Sequence, residues 1–155
     1  MKKRLLSVAF LVGLFVATIP LHAQMAQFQG NWINTNSATS SLVRLAIRGT
    51  EVHPFGKCHP NPCDWGELDG VAYGPNAGAD VRRSAKAIVA TRHTSYSVVI
   101  LVIRPARNNG LRVSTLTRFT DNSGRAPYVV TEFFRRGARL RGGTVPFVRE
   151  RARRP

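Results

Sequence analysis

Two long runs on either side of Asn109-Gly110 restrict this chain more than any other stretch. Tyr96 to Ile103 reads Tyr-Ser-Val-Val-Ile-Leu-Val-Ile, and Leu111 to Thr120 alternates. In the second run Leu111, Val113, Thr115, Thr117 and Phe119 share one face, and Arg112, Ser114, Leu116 and Arg118 share the other. A period of two is the signature of a half-buried strand. Asn-Gly between such runs accepts positive φ at low cost and predicts a hairpin turn. The continuous apolar run from Tyr96 predicts burial on both faces, or one face covered by the basic C-terminal tail.

The same pattern recurs along the chain. Gly30 to Asn34 opens as a strand, and Thr35 to Ser41 reads as a loop. Val43, Leu45 and Ile47 alternate with Arg44, Ala46 and Arg48, and Gly49-Thr50 turns the chain into Glu51–Phe55. Further strands are expected over Asp64–Tyr73, from about Ala85 to His93, and over Tyr128–Phe134, with a tight turn at Asp121–Gly124. Helical periodicity is absent beyond the first residues. The expectation is an all-β domain of about eight antiparallel strands in up-and-down order. The sheet is expected to close into a lipocalin-like barrel, which removes the exposed edges; a β-sandwich is the alternative. Phe119, Tyr128 and Phe133 are the large side chains expected to fill the barrel interior.

The ends differ from this body. Lys2, Lys3 and Arg4 precede an apolar run from Leu5 to Ile19, followed by Pro20 and a small residue at Ala23. That order is a secretory signal of bacterial type, and the run is short for a membrane span of about 20 residues. The expected division is a signal peptide over 1–23, a β domain over 24–136, and a flexible Arg/Gly-rich tail over 137–155. The formal charge of the whole chain is +15. From Arg135 to Pro155 eight arginines face the single Glu150. Such a balance predicts attraction to anionic polymers, lipid or envelope components, with nucleic-acid affinity of the nonspecific kind. Export makes the expected location periplasmic or extracellular.

The densest chemistry lies in Phe55-Gly56-Lys57-Cys58-His59-Pro60-Asn61-Pro62-Cys63-Asp64-Trp65-Gly66. Both cysteines of the chain are here. In an exported protein two cysteines read as one disulfide. Redox motifs place two residues between their cysteines rather than four. A metal reading would recruit His53, His59, Cys58, Cys63 and Asp64 by ligand type. Lys57, His59, Asp64 and Trp65 form a candidate binding rim. Asp64 can equally cap its own turn or pair with Arg125.

Hydrolase signatures are missing: no Gly-x-Ser-x-Gly, no His-Glu-x-x-His, and no phosphate-binding glycine loop. Glu51, Glu67, Asp69 and Glu132 are available as carboxylates, but nothing in the sequence marks two of them as facing. No catalytic residue and no cofactor is expected.

Trp32-Ile33-Asn34, the GKCHPxxCDWG segment at 56–66, Thr117–Asp121 with Ser123-Gly124-Arg125, and Glu132–Arg135 together resemble a family of uncharacterised bacterial secreted domains. This resemblance spans the body and implies no activity. Gly30-Asn31-Trp32, with Arg135 or its neighbour Arg136 at the far end, is similar to the lipocalin-like (calycin) barrels. That likeness implies that Trp32 and an arginine, Arg135 first, close the barrel end through a cation–π contact. The expected function is a secreted, non-catalytic binding module for an anionic envelope component, glycan or protein. Alternatives are a lipocalin-like carrier with a cavity along Val43–Leu45–Ile47 and Val113–Thr115–Thr117, and a metal or catalytic site at the Cys58–Cys63 loop.

Overall fold

The structure is a computed structural model that describes residues 23–137. Residues 1–22 of the expected signal peptide (1–23) and the tail beyond 137 lie outside the described residues. Among the described residues no helix is long and apolar enough to cross a membrane.

Among the described residues nine strands form one antiparallel sheet: β1 (Gly30–Asn34), β2 (Leu42–Arg48), β3 (Glu51–Gly56), β4 (Cys63–Asp64), β5 (Gly70–Tyr73), β6 (Ala87–His93), β7 (Ser97–Ala106), β8 (Gly110–Phe119) and β9 (Tyr128–Arg136). Their order is β4-β3-β2-β1-β9-β8-β7-β6-β5. Sequence neighbours pair throughout except across β4 and β5, and the first strand pairs with the last. The two ends of the sheet approach at one isolated antiparallel bridge, Val52 to Leu68, with N–H···O distances of 3.0 and 2.8 Å. No ladder joins β4 to β5 among the described residues.

The all-β antiparallel reading holds, with three local departures. The strand expected over Asp64–Tyr73 is two short strands, because Gly66 takes φ +79° and its amide bonds back to the Asp64 carboxylate. Before β6 a single helical turn, α2 (Val81–Ser84), forms where Asp80 caps the Arg82 amide; it faces another turn, α1 (Ala23–Ala26). The hairpin between β7 and β8 is not centred on Asn109-Gly110. Asn108 and Asn109 take the positive φ values, 57° and 52°. Gly110 is already the first residue of β8, and a Cβ there would sit 2.9 Å from the Phe134 carbonyl oxygen. The glycine serves close strand approach rather than the turn itself.

One face of the sheet carries the core. Trp32, Leu45, Ile47, Val52, Ile88, Leu101, Ile103, Leu111, Val113 and Phe134 are buried there with Phe28. Each large side chain so buried contributes roughly 1.5–3 kcal/mol against exposure. The expected aromatic filling is corrected. Phe133 and Tyr128 are exposed, and Phe119 is half-buried beneath Arg125 at 3.7 Å. Adjacent residues of a strand face opposite ways, so Phe134 inside puts Phe133 outside. A register shift between Leu42 and Arg44 also moves Leu42 into the core and leaves Val43 half-buried.

The end of the sheet near α1 is closed by Arg136. Its guanidinium lies 4.5 Å from the Trp32 ring centroid and donates to the carbonyls of Gln29 (2.7 Å), Gln27 (3.2 Å) and Ala26 (3.3 Å). The indole Nε1 of Trp32 donates to the Phe28 carbonyl at 2.8 Å. The cation–π contact with Trp32 expected of Arg135 is thus made by Arg136. In the β1–β9 register Arg136 sits opposite Trp32, and Arg135 opposite Ile33 on the other face.

Candidate functional site

The Cys58–Cys63 disulfide is present, with Cα atoms 5.4 Å apart, and no free cysteine remains. The pairing follows from position: Gly56 and Cys63 are ladder partners, so residues 57–62 must reverse the chain. The Lys57 amide donates to the Ser41 carbonyl at 2.7 Å and ties the start of this loop to the β1–β2 connection. A hollow of about 390 Å³ lies between the two. Its apolar lining is Ile33, Val43, Pro60 and Pro62; its polar lining includes Asn36, Ser37 and Thr35. Lys57, His59 and Arg135 supply its titratable groups, and no carboxylate is among the lining residues that the structure describes.

The rim expected from sequence is thus divided. Lys57 and His59 face this hollow, while Asp64 and Trp65 do not line it. Trp65 packs across Gly56, where a Cβ would come within 2.6 Å of the indole nitrogen. Arg92 lies over its ring at 5.4 Å and donates to its carbonyl at 3.3 Å. Trp65 also borders a smaller hollow of about 190 Å³ with Ser41, Thr115, Thr117 and Tyr128. Thr115 is buried there and its hydroxyl has no hydrogen-bond partner among the described residues.

Asp64 belongs to a separate cluster. Its carboxylate is 2.6 Å from His53 Nε2 and accepts the Gly66 amide at 2.7 Å. Glu67 lies 3.9 Å from the other ring nitrogen of His53. The imidazole stacks on Phe55 at 4.4 Å, and Arg44 covers the Phe55 ring at 3.8 Å. Desolvation is the largest influence on the Asp64 carboxyl and pushes its pKa up. The Gly66 amide, the His53 hydrogen bond, and the charges of His53 and Arg44 together outweigh it and hold the carboxyl below its ordinary value. Arg125 is not its partner. That arginine instead clips the β8–β9 connection, bonding Asp121 at 2.5 Å and Ser123 at 2.8 Å.

The metal reading required His53, His59 and Asp64 to converge. His53 and Asp64 do meet, but His59 lies on the hollow, and no group of three or more suitable ligands exists among the described residues. The carrier reading required an open interior. Of the residues named for it, Leu45, Ile47 and Val113 are packed in the core, Val43 lines the outer hollow, and Thr115 and Thr117 line the smaller one.

Sequence reasoning missed one buried group. Glu132 accepts hydrogen bonds from Asn34 Nδ2 (2.8 Å), the Leu42 amide (3.3 Å) and the Thr39 hydroxyl. Asn34 Nδ2 also donates to the Leu42 carbonyl at 2.7 Å. This network holds the β1–β2 connection, one wall of the hollow, against β9. Its signal was available: Glu132 has the same strand parity as Phe134.

Comparisons of the chain with protein-family models, with curated proteins and with solved structures found no match.

Proposed function

We propose that the chain is an exported, non-catalytic binding module whose site is the hollow under the Cys58–Cys63 loop. Its ligand is an anionic group of an envelope component, an acidic glycan in the first place. The observation that carries this reading is the joining of Lys57, His59 and Arg135 around one hollow with no carboxylate among its described lining residues. Arg135 is available for a ligand because Arg136 takes the contact with Trp32. A volume of about 390 Å³ falls within the range of about 300–1,000 Å³ usual for small-molecule sites. Proline rings and hydroxyl or amide side chains beside the cations suit a saccharide ring bearing a carboxylate. The signal-like N-terminus and the disulfide support a periplasmic or extracellular location.

The test is titration with oligogalacturonate, followed by calorimetry, at about 0.15 M salt. Saturable binding that falls about tenfold or more in Lys57→Ala and in Arg135→Ala is expected, from the loss of one charge-assisted contact each. Binding that survives both substitutions, or that tracks net charge alone, refutes the site.

A further inference from the structure

Among the described residues, the face of β6–β9 turned away from the core has no partner in the fold. Register places Ile100, Leu116 and Val129 side by side across β7, β8 and β9. Val129 is 62% exposed, Phe133 53% and Leu116 40%. Exposed arginines stand on both sides of this row. Arg104 and Arg112 are ladder partners on one side, and Arg118 lies on the other. The one acidic residue in β6–β9 is Glu132, which points into the core. A contiguous apolar patch rimmed by charge of one sign marks an interaction surface. It also explains the double-sided apolarity of Tyr96–Ile103, whose outward Val98, Ile100 and Val102 are only half-buried.

Charge selects the occupant. A second copy docked about a two-fold axis would set Arg104, Arg112 and Arg118 against their own copies. The chain's own C-terminal segment carries eight arginines and one glutamate from Arg135 onward, so it too is repelled. Single-stranded nucleic acid is bound by aromatic side chains that stack bases, and the central row here is aliphatic. An anionic bilayer offers both requirements together: headgroup charge for the arginines, and apolar phase just beneath for Leu116, Val129 and Phe133. We propose that this face docks onto an anionic lipid bilayer. The inference is independent of the glycan hollow, since Lys57 and His59 take no part in it.

The experiment is co-sedimentation of the chain from Gln24 onward with vesicles of phosphatidylcholine alone, or with about a quarter phosphatidylglycerol, at about 0.15 M salt. Val129→Asp, Phe133→Ser, Arg112→Glu and Arg48→Glu are compared, each checked for parental thermal melting. Arg48 is exposed on β2, outside this face, and its reversal changes net charge as much as that of Arg112. Binding to anionic vesicles only, reduced about tenfold or more by Val129→Asp, Phe133→Ser and Arg112→Glu but not by Arg48→Glu, is the expected result. Equal losses for Arg48→Glu and Arg112→Glu would mean nonspecific attraction and overturn the proposal. So would retention by folded Val129→Asp and Phe133→Ser variants, absence of binding to anionic vesicles, or a dimer dissociated by Val129→Asp.

Discussion

Removing the Glu132 carboxylate should be among the most damaging single changes in the domain. The side chain is 9% exposed and has no cationic partner among the described residues. Its stability rests on three donors: Asn34 Nδ2, the Thr39 hydroxyl and the Leu42 amide. In Glu132→Ala, Asn34 Nδ2 retains the Leu42 carbonyl. The Thr39 hydroxyl and the Leu42 amide lose their acceptor, and each buried unpaired group costs about 1–3 kcal/mol. The expected loss is therefore about 2–6 kcal/mol. Glu132→Gln preserves the shape and the oxygen facing Asn34 and Thr39. It places an amide NH₂ against the Leu42 N–H, so one acceptor is lost and the cost should be about 1–3 kcal/mol. Urea unfolding of parent, Gln and Ala forms at neutral pH measures this order directly. An Ala variant within about half a kcal/mol of the parent, the range of ordinary surface changes, would refute the reasoning. So would a Gln variant as damaged as Ala, since the hydrogen-bond count would then be irrelevant.

Arg136→Ala should cost about 1–3 kcal/mol by removing the Trp32 contact and three charged hydrogen bonds to carbonyls. Arg135→Ala should leave thermal melting unchanged, and equal effects from the two would contradict the assigned register. Breaking the disulfide with Cys58→Ser and Cys63→Ser together should cost about 2 kcal/mol in the chain-entropy account of a short loop. Ellman titration of the denatured, unreduced parent should find no thiol. Acid should weaken the parent through Asp64. Because its folded-state pKa is depressed, the stabilisation is complete above the ordinary value of 3.8 and is lost as pH falls through the lower folded-state value. Asp64→Asn should remove that part of the acid sensitivity and cost about 0.2–1 kcal/mol at neutral pH; an unchanged acid-unfolding profile would exclude the His53–Asp64 contact as its source. Gly110→Ala should destabilise the β7–β9 region, since its methyl would crowd the Phe134 carbonyl; Tm of this variant equal to the parent's would show that the strands can separate freely.

Most strand positions, the all-β class and the pairing of Cys58 with Cys63 were legible from residue order; the break of Asp64–Tyr73 into two strands was not. Period-two alternation and short loops are local properties, written in neighbouring residues. Leu111 to Phe119 illustrates this, with Leu111, Val113, Thr115 and Thr117 all buried as alternation requires. What the tertiary structure decided was which distant residues meet. Whether Arg135 or Arg136 covers Trp32 turns on a one-residue register between first and last strands, and no local pattern specifies that. The same pairing brings Glu132 to Asn34 and Thr39 across about a hundred residues, and sets Arg135 beside Lys57 and His59. A bulge at Leu42 likewise exchanged Leu42 for Val43 in the core. Composition alone establishes that the chain is basic. Its fold sorts that charge into an Arg136 clamp, a cationic hollow and an arginine-rimmed apolar face, because strand parity assigns each side chain to one side of the sheet and register chooses its neighbours.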